Sequence, residues 1–168
     1  MDQTQELTAE KIVNTYSQAQ LTDILVTYGE EPKAAAIAKL IVQNRPHSTT
    51  SELAELVGRV WPGHSRVHPA TRTFQALRIA VNDELGLLRR SLPIWVELLK
   101  PGGRLAIISF HSLEDRLVKK FFTDLGGDRY DATLDILTKR PLIASAEESV
   151  FNPRARSAKL RAAVKIKK

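Results

Sequence analysis

The sequence predicts a mixed α/β protein, in which an all-helical stretch precedes helices that alternate with strands. Three observations predict it. Two helix-start signatures, Ser17-Gln18-Ala19-Gln20 and Thr49-Thr50-Ser51-Glu52, punctuate residues 8–60, where apolar residues recur at helical spacing. A double glycine then feeds a nearly unbroken apolar run, GGRLAIIS at 102–109, which reads as a buried parallel strand. Beyond it LEDRLVKKFFTDL returns to helical spacing, while LDILTK and KLRAAVKI alternate as strands do.

Taken in order, Thr8 is placed to cap AEKIVNTY. Ser17 and Gln20 open a second helix through LTDILVTY, with Gly29 as its stop. Pro32 suits the first turn of a third, whose Ile37, Leu40 and Ile41 make one apolar face. The Thr49–Glu52 box opens ELAELVGRV, and Trp61-Pro62-Gly63-His64-Ser65 then reads as a linker. From Pro69, Phe74, Leu77, Ile79 and Val81 and then Leu85, Leu88, Leu92, Val96 and Leu99 keep near-helical spacing, with Gly86 and Pro93 predicting a kink or a break. Lys100-Pro101-Gly102-Gly103 turns the chain into the strand at 104–109. Ser112 is placed to cap the following helix, which Gly126-Gly127 closes, and strands at 134–138 and 159–166 bracket an irregular stretch.

Right-handed crossovers make the strand at 134–138 parallel to that at 104–109, with the last strand returning antiparallel. This topology collects three polar clusters at one sheet edge: His68-Pro69-Ala70-Thr71-Arg72, Phe110-His111-Ser112 and Asn152-Pro153-Arg154-Ala155-Arg156-Ser157. The carboxyl ends of strands in such sheets are where ligands bind. Both faces of the 104–109 strand read as buried, yet no strand candidate supplies a neighbour on its far side. The sheet reads as incomplete.

With 168 residues, 43% of them hydrophobic and 26% charged, the chain is one domain or a domain with a sub-domain. No apolar run is long enough for a membrane span, and MDQTQELTAEK lacks the basic flank and apolar core of a secretory signal. The absence of cysteine excludes disulfides, thiolate metal sites and cysteine nucleophiles, and fits a cytoplasmic location. The net charge is +6. After Glu148 stand Arg154, Arg156, Lys159, Arg161, Lys165, Lys167 and Lys168 with no acidic residue, which points to a polyanionic partner or, more blandly, to a solvated strand end. Ser109, His111 and Asp115 are too close along the chain to form a nucleophile relay by themselves, and no G-x-S-x-G elbow or phosphate-cradling G-x-x-x-x-G-K-[ST] loop occurs. The histidines lack ligand spacing, and no metal site is expected.

HPATRTFQALRIAVNDEL, GGRLAIISFHSLEDRLVKKFF and NPRARSAKLR, in that order, resemble the bacterial 16S rRNA cytosine-N4 methyltransferases, the RsmH/MraW family. NTYSQAQLTDILVTYGEE resembles the start of that family's helical insertion. The resemblance implies a partial Rossmann-like methyltransferase fold. Residues 1–7 would be a remnant of the upstream segment, 8–62 a helical RNA-recognition insertion, and 63–168 the C-terminal half with the last three strands and their helices. It implies N4-methylation of a cytosine in 16S rRNA of the small ribosomal subunit, S-adenosyl-L-methionine as donor, and a complementary N-terminal half as a further partner.

In such folds the donor's glycine-rich turn, and in this family the polar motif facing the target amine, lie upstream of the insertion. The eight glycines of this chain make no G-x-G. No cofactor-binding or catalytic residue therefore carries over, and the chain is expected to be inactive alone. Pro32-Lys33-Ala34-Ala35-Ala36-Ile37 stands where the family usually has an aromatic and one or two basic residues, which weakens the insertion's expected phosphate contacts. The residues expected to meet RNA are His68, Arg72, His111, Ser112, Arg154 and Arg156, through hydrogen bonds to the base and charge on its flanking phosphates. Each type has a plainer use. His111 can satisfy a strand end, Ser112 can cap a helix, and Glu114, Asp115 and Arg116 suit the first turn of a helix. Arg78 and Asn82 can be packing partners. A non-catalytic RNA-binding or ribosome-associated module is the second reading.

Overall fold

The structure, a computed structural model, describes residues 6–61, 67–127 and 130–167. The expected linker from Pro62 to Ser65 and most of the expected upstream remnant lie outside the described residues. The chain forms two compact units, Met1–Glu84 and Leu85–Lys168.

The first unit is helical: α1 (Ala9–Thr15), α2 (Gln18–Gly29), α3 (Ala34–Gln43), α4 (Thr50–Gly58) and α5 (Thr71–Asn82). The starts of α1, α2 and α4 follow the sequence signals, whereas Pro32, expected in the first turn of the third helix, lies ahead of its Lys33 cap. The Thr8 hydroxyl accepts from the Lys11 amide at 3.0 Å, and both capping boxes, Ser17 with Gln20 and Thr49 with Glu52, are closed in both directions. The core joins Ile12, Leu21, Leu25, Ile37, Ile41 and Val57 to Ala76 and Leu77 of α5. Irregular segments are tied down by polar side chains. Arg45 donates to the carbonyls of Val13 and Tyr16 at the end of α1, and buried His47 exchanges two backbone bonds with the Asn14 amide group while its Nε2 contacts the Ile41 carbonyl at 2.8 Å.

Two helix ends differ in how they are made. α2 stops at Gly29 as expected, but Glu30 after it, not the glycine, adopts the left-handed conformation, with φ 47°. Gly29 serves packing instead, since a Cβ there would stand 2.8 Å from the Arg72 carbonyl oxygen and hold α5 away. The break after α5 falls at Asp83, also left-handed, and the next helix runs unbroken through Gly86 and Pro93. Arg78 and Asn82 are packing partners at this break. Arg78 makes a two-pronged ion pair with Glu84 at 2.8 and 2.9 Å, and Asn82 donates to the Arg78 carbonyl.

The second unit holds α6 (Glu84–Leu98, from Leu85 on), β1 (Arg104–Ser109), α7 (Ser112–Leu125), β2 (Leu134–Ile136), β3 (Leu142–Ile143), α8 (Ala146–Phe151), a 3-10 turn (Pro153–Ser157) and β4 (Lys159–Lys165). The sheet order is β1-β4-β2, with β3 also on β4, and every pair is antiparallel. The first and second strands run in the same direction, as expected, but they are not neighbours. The last strand returns between them and pairs along both its edges. In place of the expected irregular stretch, β3 and α8 form. The helix has a serine cap, Ser145 accepting from the Glu148 amide, yet it buries no residue, so no apolar period announces it.

The burial of β1 also differs from expectation. Leu105 and Ile107 pack with Val118 and Phe122 of α7, Leu134 of β2 and Ala163 of β4. The alternate residues Ala106 and Ile108 are exposed, Ile108 by 54%. An apolar run marks a strand covered on both faces only when something covers both, and among the described residues one face of β1 is open. No strand pairs with its free edge among the described residues.

Candidate nucleic-acid interface

Strand register decides which polar clusters meet. Ser109, the last residue of β1, lies opposite Lys159, the first of β4, and Ile143 of β3 faces Lys159 from the other side. Phe110-His111-Ser112, which follow β1, and Asn152–Ser157, which precede β4, therefore share one end of the sheet. Those are two of the three expected clusters. The third, with His68 and Arg72, belongs to the helical unit.

At the start of α7 the cap is His111, not Ser112. His111 is extended, and its Nδ1 accepts from the Glu114 amide at 3.3 Å. The Glu114 carboxylate closes the box by accepting from the amides of Phe110 and His111, at 2.8 and 3.4 Å. A ring nitrogen can accept as a hydroxyl does, and it displaces the adjacent serine to the exposed first helical position.

Asp115, one turn into α7, is buried and clamps the sheet. Arg161 of β4 donates to it from Nε at 2.7 Å and from Nη2 at 3.2 Å, and Lys159 Nζ lies 3.5 Å away. The Arg161 guanidinium, and after it Lys159, hold the Asp115 carboxyl below the usual carboxylate range against the opposing effect of burial. Lys165, also buried, donates to the carbonyls of Val96 and Glu97 at the end of α6.

The basic tail is thus sorted. Arg161 and Lys165 are structural, and Lys167 donates to the Tyr130 carbonyl. Lys159 is half-exposed. Arg154 and Arg156 on the 3-10 turn are exposed, with the buried Ala155 between them anchoring the turn. His68 and Arg72 have local uses in their own unit. The His68 Nδ1 accepts from the Ala70 amide at 3.1 Å, and Arg72 donates to the Glu30 carbonyl at 3.2 Å, although both side chains are exposed.

Exposed aromatic rings adjoin both clusters in the chain, Phe110 directly after β1 and Phe151, at 83% exposure, directly before Asn152. Polar groups single out residues 110–112 in the sequence, whereas Phe151 escapes that reading. The signal available for it is an aromatic residue directly before Asn-Pro-Arg.

At the start of α7, the helix that follows a strand's carboxyl end, the amides of Phe110, His111 and Glu114 are taken up by the cap that His111 and Glu114 form. The glycine turn at 102–103 precedes β1 rather than following it. Among the described residues no glycine stands between β1 and α7 to line a turn at this sheet end. No helix among the described residues is long and apolar enough to cross a membrane.

The model of the MraW methylase family matches residues 1–166. Proteins named ribosomal RNA small subunit methyltransferase H are similar throughout. The one from Crocosphaera subtropica is 53% identical over 164 residues, 96% of this chain and 50% of its own length. That from Synechocystis is 53% identical over 99% of this chain and 53% of its own. That from Deinococcus deserti is 54% identical over 99% and 54%. The chain spans about half the length of the curated relatives it matches. This is a member of the MraW methylase family.

Proposed function

We propose that this chain is the RNA-gripping, C-terminal portion of a small-subunit rRNA methyltransferase that uses S-adenosyl-L-methionine to methylate the N4 amine of a cytosine in 16S rRNA. The observation that carries it is the pair Arg154 and Arg156, exposed at the end of a sheet whose unit holds the whole of the chain's basic excess. Through Glu84 there are 8 basic and 10 acidic residues; from Leu85 there are 17 and 9. Methylating a cytosine amine requires the base out of its stack and the amine held in line, because its lone pair is delocalised into the ring. The sheet end suits the first requirement: arginines for the flanking phosphates and exposed Ser112 as a hydrogen-bonding group, with His111, its side chain 8% exposed, positioning that serine as the helix cap. His68 and Arg72 are proposed contacts from the helical unit. Residues 8–62, as the inserted sub-domain, contribute shape more than charge.

The donor's site belongs to a complementary N-terminal half, and the chain alone does not turn over. What supports this is the absence of G-x-G, together with the lack of a glycine between β1 and α7. The setting implied is the bacterial cytoplasm. The test is binding of a short labelled single-stranded RNA across a salt series. Arg154→Ala with Arg156→Ala is expected to weaken binding and to flatten the salt slope by about 0.7 for each phosphate no longer neutralised. Unchanged affinity and slope would remove both residues. Titrating S-adenosyl-L-methionine into the chain alone should release no binding heat, and clear micromolar binding would overturn the assignment of the donor site.

A further inference from the structure

We infer that Phe110 and Phe151 form a stacking platform for unpaired nucleotides, so that this sheet end selects single-stranded over duplex RNA. The inference rests on the RNA reading above and names the form of RNA the site takes.

Phe110 follows the last residue of β1 directly, and its backbone is fixed, its amide donating to Glu114 at 2.8 Å. Phe151 ends α8, whose Ser145 cap and closing bond from the Asn152 amide to the Glu148 carbonyl hold the turn in place. Consecutive turn bonds, Ala155 to Asn152 and Ala158 to Ala155, then carry the chain to Lys159, opposite the residue before Phe110. Both rings are therefore carried on hydrogen-bonded backbone and presented to solvent, by 54% and 83%. The helix carrying Phe151 packs no residue into the core, so the ring's position does not serve the fold. Arg154, Arg156 and half-exposed Lys159 lie on the same short segment.

Exposed rings interleaved with cations fit an occupant that carries both π-faces and phosphates. Single-stranded nucleic acid presents both, whereas a duplex hides its base faces inside the stack. A protein partner would have to match the cations with its own acidic groups.

The test uses the full chain, with a labelled single-stranded RNA and the same sequence annealed to its complement. The single strand is expected to bind more tightly. Phe110→Leu and Phe151→Leu should each weaken it by about tenfold with the salt slope unchanged, and Phe151→Trp should retain affinity. Both sites are exposed, and circular dichroism checks that the fold is kept. Equal affinity for the two RNA forms overturns the inference, as does full affinity in the leucine variants. If the arginine variants weaken binding while the leucine variants do not, only this inference fails. If neither set matters, the RNA reading fails with it. Sedimentation showing self-association that the leucine variants abolish, with RNA affinity intact, assigns the rings to a second copy and also overturns it.

Discussion

The two units of this chain handle polar groups in opposite ways. In the helical unit nearly every singled-out polar side chain turns inward on the backbone: Thr8, Ser17 and Thr49 at helix starts, Arg45 and Arg72 at helix ends, Asn14 with His47 between them. Its charge is slightly acidic. The sheet unit commits Asp115, Arg161 and Lys165 to its own framework and leaves Arg154 and Arg156 to solvent, along with apolar Ile108, Phe110 and Phe151. The difference teaches that basic charge alone does not mark a binding surface. Which cations the fold has already used must be known first.

The contrast can be broken by single substitutions, each expected to act on one unit. The largest effect belongs to Asp115→Asn, which strands Arg161 in the interior and should destabilise the sheet unit by about 3–5 kcal/mol in urea unfolding. Replacing both partners by apolar residues of similar size should recover most of that loss. The pH dependence follows the same group. Its folded pKa is depressed, so its contribution is fully present above the unfolded value near ~4 and is lost as the pH falls through the folded value. Acid unfolding followed by amide exchange should show the wild-type sheet unit losing protection in that window, a loss blunted in Asp115→Asn. In the helical unit, Ile37→Ala removes a fully buried side chain and should lower stability by about 2–5 kcal/mol. Gly29→Ala, which drives a methyl against the Arg72 carbonyl, should cost about 1–3 kcal/mol and disturb amides of α2 and α5 but not those of β1. Thr49→Ala opens one capping box, with an expected loss of about 1 kcal/mol seen as fraying of α4 in hydrogen exchange.

How much of this is legible in the sequence depends on the range of the interactions involved. Helix caps act over three residues, so α1, α2 and α4 are readable at their starts, and the apolar run of β1 is readable between its glycine turn and Ser109. Two left-handed residues, Glu30 and Asp83, are hidden because glycine is the usual signal and Gly29 and Gly86 stand close by. The His111 cap is hidden by the serine beside it. Arg161 and Lys165 look like free charge because their partners, Asp115 and the end of α6, are 46 and about 69 residues away along the chain. The site divides along the same line. The meeting of residues 110–112 with 152–157 follows from strand direction, whereas the selection of Arg154 and Arg156 over the rest of the tail requires the partners to be seen.

The outer border of β1, which no strand among the described residues pairs, has a practical consequence. Its outward amides and carbonyls run beside Leu105, Ala106, Ile107 and Ile108, with only Arg104 to deter a visitor, and no proline or lysine interrupts it. Natural sheets usually blunt such borders, because a row of unsatisfied backbone groups recruits any extended chain that passes. Handled as purified material, the polypeptide should be kept dilute, and its shelf life should be governed by strand addition at this border long before the helices melt.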